Sequence, residues 1–199
     1  MARTGRPREF DRQAALDAAL TLFWKQGYEP TSLNQLKEVM GGISPTSFYA
    51  AFGSKEQLFE EVVELYRSTE GRVTDVLFDE EISPRSAIEE CLRQSARMQT
   101  NPSHPPGCLI VSGASNCGVT GDQVVELLKS IRRKNNEAIR SQVRRAVAIG
   151  DLPDRTDIEG LSEVFGTFLV GISTAARDGV NRDSLDRSID QIMRLWNGA

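Results

Sequence analysis

The chain contains 199 residues, of which 39% are hydrophobic, and its formal net charge is −4. This length allows one small and one larger domain, and the net negative charge argues against indiscriminate polyanion binding by the whole surface. Three cysteines form no CxxC pair, so we expect a reducing, cytoplasmic setting and not a disulfide framework. The most apolar window, Leu161 to Ala176, is short and contains polar residues, and we therefore expect no membrane-spanning segment.

The first nine residues are predicted to form a flexible basic arm. Arg3, Arg6 and Arg8 flank a glycine and a proline, and no apolar run of a secretory signal follows them. A cationic arm can enter a DNA minor groove, with Arg6 as the candidate contact, but an ordinary basic tail has the same composition. The sequence leaves both interpretations open.

Two very short helices joined by a glycine turn are predicted between residues 31 and 53. Thr31 or Ser32 can cap the first helix, and Gly41-Gly42 ends it because glycine adopts the left-handed conformation at little cost. Ser44-Pro45 starts the second helix, with a capping hydroxyl followed by a residue that lacks an N–H. Such helices bury too little to form a core alone, and a pair held rigidly is typical of a helix-turn-helix that enters the DNA major groove.

The second short helix has two different faces. Phe48 and Phe52 lie one turn apart and are predicted to anchor it. The opposite side is then exposed to solvent, and it carries Pro45, Thr46, Tyr49 and Ala50. A further serine, Ser54, begins the next helix.

These features together resemble the DNA-binding domain of the TetR family of bacterial transcriptional regulators, from Phe10 to about Glu60. The stretch Gly27 to Ser32, the pairs Ile43-Ser44 and Phe48-Tyr49, and the stretch Phe52 to Phe59 match the family pattern in order and nearly in spacing. The resemblance is specific because it rests on a long ordered set of residues. The glycine turn has one residue more than the commonest form.

The resemblance implies DNA contacts at particular positions. Tyr49 is expected to donate its hydroxyl to a phosphate, and Lys55 to hold a phosphate at a helix start. Base reading is expected at the start of the recognition helix, with DNA shape contributing because no arginine or asparagine is present there. The remaining expected contacts are Thr31, Ser32 and Ser47 on the sugar–phosphate backbone, and Ser44, Pro45, Thr46 and Ala50 on the bases.

Beyond residue 54 the chain is predicted to be entirely helical, because proline, glycine and polar breaks separate helical patterns and no strand alternation occurs. We expect an all-α fold of about nine helices. It would comprise a helix-turn-helix domain at residues 10–55 and a larger effector-binding and dimerisation domain at residues 56–199. The later helices are predicted at about 54–77, 84–100, 122–149, 156–178 and 183–196, with a short apolar segment at 108–114.

The last two of these helices carry wide apolar stripes at helical spacing. The resemblance implies that this helix pair forms a four-helix interface with a second subunit, so that a homodimer reads a near-palindromic operator. Packing within the chain must claim part of each stripe. The predicted interface residues are Leu161, Phe165, Phe168, Leu169, Ile172, Ile189, Met193 and Trp196.

The central helices are expected to enclose a pocket for an unknown small-molecule effector that releases the repressor from DNA. Asn135 lies on the apolar side of its helix and needs a partner, whether backbone, water or ligand. A neighbouring basic run, from Lys129 to Arg145, is predicted to be a solvated outer face. The candidate pocket residues are Cys91, Ser95, Met98, Val111, Asn135, Phe165 and Phe168.

Three alternatives remain open. His104, Cys108 and Cys117 suggest thiol or metal sensing, but their spacing fits no standard site, and we predict no metal and no cofactor. A helical protein-interaction adaptor without DNA binding is the second alternative. An enzyme is the third, and we predict none, because no nucleophile elbow is present and nothing orients the single histidine.

Overall fold

The computed structural model describes residues 10–114 and 122–198, except for the side chain of Asp122. The predictions for the basic arm, including Arg6, and for Cys117 therefore lie outside the described residues. Within those residues the fold is entirely helical, which confirms the predicted fold class, with ten α-helices and one 3₁₀ segment at Glu70–Phe78. The α-helices are α1 Arg12–Gln26, α2 Leu33–Val39, α3 Pro45–Phe52, α4 Lys55–Ser68, α5 Pro84–Gln99, α6 Leu109–Ser112, α7 Asp122–Ala148, α8 Ile158–Arg177, α9 Arg182–Ile192 and α10 Arg194–Gly198.

Side-chain caps set the beginnings of the short helices. Ser32 and Gln35 form a reciprocal capping box at the start of α2. Ser44 accepts a hydrogen bond from the backbone N–H of Ser47 at 3.0 Å, and a proline occupies the first position of α3. Between the two helices, Gly41 and Gly42 have φ values of 88° and 77°, which is the conformation that glycine alone adopts without strain.

The prediction that α4 continues to about residue 77 is wrong. This helix ends at Ser68, and the chain turns into the 3₁₀ segment. The hydroxyl of Thr69 donates to the carbonyl of Leu65 at 2.7 Å, and Gly71 packs directly against the ring of Tyr66, where a Cβ atom would lie 2.7 Å from the ring. Close packing of the backbone on this ring redirects the chain across the larger helices.

Four helices, α5, α7, α8 and α9, build the larger part of the molecule, with α5 in contact with the other three. Arg93 of α5 forms ion pairs with two residues of α9, Asp190 at 2.6 Å and Asp186 at 3.5 Å. The same guanidinium is paired with Glu89 on its own helix at 2.7 Å. This charged cluster fixes the orientation of α9 at the edge of the core.

Two clusters of buried apolar side chains form the core. One joins α1 to α4 with Met98, Leu109 and Leu128 from later helices, and the other lies among α5, α7, α8, α9 and α10. Packing is thus continuous across residue 55, and the division at that point stays a prediction. None of the helices in the described residues combines the length and apolar character needed to cross a bilayer.

Candidate DNA interface and effector cavity

The outer face of α3 is formed by Pro45, Thr46, Tyr49 and Ala50, all of which are exposed. Tyr49 has 53% of its surface exposed, whereas Phe48 and Phe52 on the other side of the helix are buried. The tyrosine ring packs edge-on against Phe48 at 5.5 Å between ring centroids. The two faces of this helix therefore lie as the spacing of its aromatic residues predicted.

The short hydroxyl side chains near α2 and α3 have different environments. Ser44 and Ser47 are exposed, and their hydroxyl oxygens lie 2.9 Å apart. Ser32 is exposed but engaged with Gln35. Thr31 is fully buried, and its hydroxyl donates to the carbonyl of Gly27 at 2.6 Å. The predicted backbone contact by Thr31 does not fit this geometry, because its hydroxyl already closes the turn between α1 and α2.

Lys55 is the first residue of α4 and lies beside the backbone N–H groups of the first helical turn. Its Nζ atom sits 4.2 Å from the centroid of the Tyr28 ring. This cation–π contact restricts the lysine to the side of the turn that precedes α2. A partly desolvated cation at a helix N-terminus is a favourable position for a phosphate group.

Arg12 of α1 contacts both α3 and α4. Its guanidinium donates to Glu61 at 2.7 Å and to the carbonyl of Ala51 at 3.3 Å, and it lies over the ring of Phe52. These contacts link the beginning of α1 to the end of α3. Because the same guanidinium also contacts α4, a movement of α4 would change the orientation of the exposed face of α3.

A cavity of about 180 Å³ lies between α4, the 3₁₀ segment, α5, α7 and α8. Of the predicted pocket residues, Ser95, Val111 and Asn135 line it. Cys91 and Phe165 are instead buried in the second core cluster, Met98 packs in the first, and Phe168 is a partly buried neighbour of the second. These four residues lie on the inward side of their helices, but they pack against other helices and do not line this cavity.

Sequence reasoning missed several polar residues of the cavity, which include Tyr66, Gln99, Arg132 and Asn136. Arg132 belongs to the basic run that was predicted to be solvated, yet it is half-buried and donates to the carbonyl of Ile110 at 2.6 Å. Burial lowers the pKa of this guanidinium from its ordinary value, and the nearby Cys108 opposes that shift. Its inward direction follows from the position of α6, which the sequence pattern of α7 does not reveal.

Tyr66, which is buried, and Cys108, which is half-buried, form a polar pair on the wall of the cavity. The phenol donates to the sulfur of Cys108 at 3.3 Å. Burial raises the pKa of the Cys108 thiol, which the hydrogen bond from Tyr66 partly offsets. Burial also raises the pKa of Tyr66, and Cys108 adds to the shift. Both groups are therefore protonated at neutral pH, which disfavours the thiolate that a redox or metal sensor uses.

Aromatic contacts connect the cavity with the N-terminal helices. The ring of Tyr66 packs edge-on against Trp24 of α1 at 4.9 Å, and Trp24 stacks on His104 at 4.3 Å. The backbone N–H of Tyr28, at the turn after α1, donates to the carbonyl of Gly113 at 2.7 Å. In the described residues no three His, Cys, Asp or Glu side chains cluster as metal ligands would. The position of His104 is that of a packed aromatic ring.

Most of the predicted dimer residues contribute to the core of the single chain. Phe165, Ile172, Ile189, Met193 and Trp196 are each at most 3% exposed. Leu169 lines the cavity, and Leu161 and Phe168 are half-buried. The apolar side chains that α8 and α10 leave in solvent are instead Val164 and Leu195, with 41% and 47% of their surfaces exposed. Packing within the chain has thus taken most of the stripe, as one of the two sequence interpretations allowed.

Comparison with known proteins assigns both parts of the chain to the same group of proteins. The family described as bacterial regulatory proteins, tetR family, matches residues 15–62, and the family described as tetracyclin repressor-like, C-terminal domain, matches residues 84–192. The HTH-type transcriptional repressor ComR of Escherichia coli (strain K12) is 33% identical over 193 residues, covering 96% of this chain and 91% of that protein. The repressor BdcR of the same organism is 36% identical over 110 residues, 55% of each chain.

Solved structures give the same result. A cysteine mutant of the TetR family transcriptional regulator CifR, complexed with 26-bp double-strand operator DNA, has a TM-score of 0.85 and 39% sequence identity, covering 96% of this chain and 100% of that one. A putative TetR transcriptional regulator from Rhodococcus sp. RHA1 has a TM-score of 0.60 and 29% identity, covering 92% and 97%. With an N-terminal helix-turn-helix, a larger helical part and matches over most of its length, this chain belongs to the TetR family of bacterial transcriptional regulators.

Proposed function

We propose that the protein is a cytoplasmic homodimeric repressor that binds a near-palindromic operator and releases it when a small molecule occupies the cavity. The observation that carries the proposal is the exposed face of α3. A short helix held by Phe48 and Phe52 on one side has a solvent-exposed tyrosine on the other. The ring of Tyr49 packs edge-on against Phe48, and a phosphate oxygen is a suitable acceptor for its hydroxyl.

The interface with DNA would combine two kinds of contact. Tyr49, Lys55 and the exposed hydroxyl of Ser47 supply phosphate contacts around α3 and the start of α4. Ser44, Pro45, Thr46 and Ala50 face the base edges, where small side chains allow close approach and a methyl contact with thymine. Because these side chains can form few hydrogen bonds with the base edges, we expect DNA shape to supply part of the sequence discrimination.

Release of DNA would follow from contacts between the cavity and the N-terminal helices. Tyr66 lines the cavity on α4, the helix whose first residue is Lys55, and its ring touches Trp24 of α1. The end of α6 is hydrogen-bonded to the turn after α1. A ligand that binds one arrangement of these helices more tightly than the other shifts the separation of the two DNA-binding parts in a dimer.

The dimer itself would use the outward side of α8 together with α9 and α10. Val164 and Phe168 lie one turn apart on α8, and Leu195 is exposed at the end of the chain. A twofold arrangement of such a face presents two copies of α3 about 34 Å apart, the spacing of successive major grooves on one side of DNA.

The test is binding to a near-palindromic DNA duplex taken from the promoter region of the protein's own gene. We expect salt-sensitive binding that Tyr49→Phe weakens about tenfold or more, because one hydrogen bond to a charged phosphate is lost. Ser130→Ala, which removes an exposed hydroxyl from α7, is the matched control and leaves affinity unchanged. Fluorescence anisotropy measures both variants. Equal affinity of Tyr49→Phe and the wild type contradicts the assignment of Tyr49, and no binding by the wild type contradicts the proposed function.

A further inference from the structure

We propose that the cavity binds a small monocarboxylic acid, with its carboxylate on Arg132, an apolar body, and a second polar group next to Gln99. This inference rests on the proposed function only in that it takes the cavity to be the effector site. It names the chemical class of ligand, and it is carried by the arrangement of charges and unpartnered atoms around the cavity.

Arg132 is a half-buried cation without an anionic partner. Among the described residues, no carboxylate oxygen lies within 4 Å of its guanidinium, and its recorded hydrogen bond is the one to the carbonyl of Ile110. A guanidinium has five N–H donors, arranged to match the two oxygens of a carboxylate. Since removing such a cation from water without an opposite charge is unfavourable, a bound carboxylate restores the missing interaction.

The other charged residues around the cavity do not meet this need. Arg67 is paired with Glu64 at 3.4 Å, and Asp75 is paired with Arg72 at 3.1 Å. Lys134 lies over the ring of Phe78 at 5.4 Å. In the part of the chain that the structure describes, the lining thus keeps an excess of positive charge after these pairings. An anionic ligand is favoured over a neutral or cationic one of the same shape.

Gln99 supplies the second polar position. Its side chain is 2% exposed and lines the cavity, and its Nε2 atom donates to the hydroxyl of Ser95 at 2.5 Å. The other amide atom, Oε1, has no hydrogen-bond partner among the described residues. Turning the amide exchanges the two atoms but still leaves one unpartnered. A buried polar atom of this kind costs about 1–3 kcal/mol unless a partner satisfies it, and a ligand hydroxyl is a suitable partner.

Apolar side chains form the remaining walls. Val73 and Phe78 come from the 3₁₀ segment, Ile131 from α7 and Leu169 from α8. They favour an apolar body between the two polar ends of the ligand. The cavity volume of about 180 Å³ restricts that body to a single ring or a short chain.

The experiment measures binding of three acids and their primary amides by calorimetry: 4-hydroxyphenylacetate, 3-phenylpropanoate and octanoate. Each amide has the shape of its acid but no charge. We expect at least one acid to bind the wild-type protein tenfold or more tightly than its amide, the effect of one charge-assisted hydrogen bond. If no acid binds more tightly than its amide, the inference is wrong.

Arg132→Met and Arg133→Met are a matched pair of variants. Arg133 is the neighbouring residue on α7, its side chain is 73% exposed, and it does not line the cavity in the described structure. Arg132→Met is expected to abolish the preference for the acid, and Arg133→Met to keep it. If Arg132→Met fails to fold, Arg132→Lys provides a second test, because a lysine retains the charge and the preference while losing the two-point contact.

Gln99→Met tests the second polar position. It is expected to reduce the affinity for 4-hydroxyphenylacetate but not the affinity for 3-phenylpropanoate, which has no hydroxyl, while the preference for acid over amide remains. Unchanged binding in both Arg132→Met and Gln99→Met excludes this cavity as the site. DNA binding is measured separately, without any acid. If the acids fail to bind but the wild-type protein binds the operator, only the inference about the ligand is wrong. If the wild-type protein does not bind the operator, only the repressor proposal is wrong.

Discussion

At the scale of single residues, the environment of a side chain decides its chemistry. Cys91 is fully buried among apolar groups, whereas Cys108 receives a hydrogen bond from Tyr66. Burial, with a smaller contribution from Glu90, raises the pKa of Cys91 to about 12. Burial raises the pKa of Cys108 as well, although several hydrogen bonds oppose the shift. Both are structural thiols at neutral pH, and the cavity is better suited to reversible ligand binding than to thiol chemistry.

The raised pKa of Cys91 predicts a loss of stability in alkaline solution. An unfolded thiol ionises near pH 8.5, whereas the folded one holds its proton up to about pH 12. Above pH 8.5 the folded state therefore binds more protons, and the free energy of unfolding falls as pH rises, by up to about 1.4 kcal/mol per pH unit from this group. Cys91→Ala is expected to make the decline between about pH 9 and pH 11 shallower.

Urea unfolding at a series of pH values measures this effect. Cys91→Ala also leaves a small cavity, but that loss is independent of pH and shifts the whole curve. Tyr66 and Cys108 remain in the variant and keep part of the slope. Identical slopes for the variant and the wild type would show that the thiol is not protected from ionisation in the folded state.

At the scale of helices, the sequence predicted the elements whose ends are set by local chemistry. Ser32, Ser44 and Ser54 each accept a backbone hydrogen bond at a helix start, and the glycine turn separates α2 from α3 as expected. Prediction failed at residue 69 because the end of α4 depends on packing of Gly71 against the ring of Tyr66. Such a long-range contact leaves no periodic signal in the chain.

The sequence pattern also did not predict which residues of a helix face the cavity. Helical spacing identified the apolar side of α7 and, with it, Asn135 as a lining residue. It assigned Arg132 to solvent. The partner of Arg132 is a backbone carbonyl of α6, and the residue types in a sequence do not reveal which backbone groups accept hydrogen bonds from side chains. For the apolar residues of the candidate site, helical periodicity predicts only whether a side chain faces inward or outward. It does not predict which neighbouring helix that side chain contacts.

The glycine turn provides a prediction at this scale. In the described structure, no atom lies within 4 Å of a Cβ atom added to Gly42 or to Gly150, and both glycines have positive φ, 77° and 78°. An alanine at either position is therefore expected to cost about 1 kcal/mol through backbone strain alone. Gly42→Ala, which lies next to α3, should in addition weaken operator binding, whereas Gly150→Ala at the end of α7 should not.

Urea unfolding and operator titration of the two variants separate stability from recognition. Both proteins are compared at a temperature where each is fully folded. Equal losses of DNA affinity would mean that the turn has no role in presenting α3 beyond general stability.

At the scale of the whole molecule, intrachain packing and association compete for the same apolar residues. The described chain buries Phe165, Ile172 and Ile189 in its own core and leaves Val164 in solvent on α8. Gly171, on the outward side of the same helix, has open space in place of a side chain among the described residues, so another backbone can approach there. An outward apolar face on a helix pair is a poor surface for a monomer and a suitable one for a twofold contact.

This face gives the final prediction. Val164→Asp combined with Leu195→Asp introduces two charges on side chains that are 41% and 47% exposed in the single chain, so the fold should persist while the dimer dissociates. Ile149→Asp, a residue 62% exposed at the end of α7, is the matched control and should remain dimeric. A monomer engages only one half-site, so its operator affinity should fall by roughly 10²- to 10⁴-fold. Analytical ultracentrifugation gives the mass of each variant and anisotropy its affinity, and a double variant that stays dimeric would place the contact on another surface.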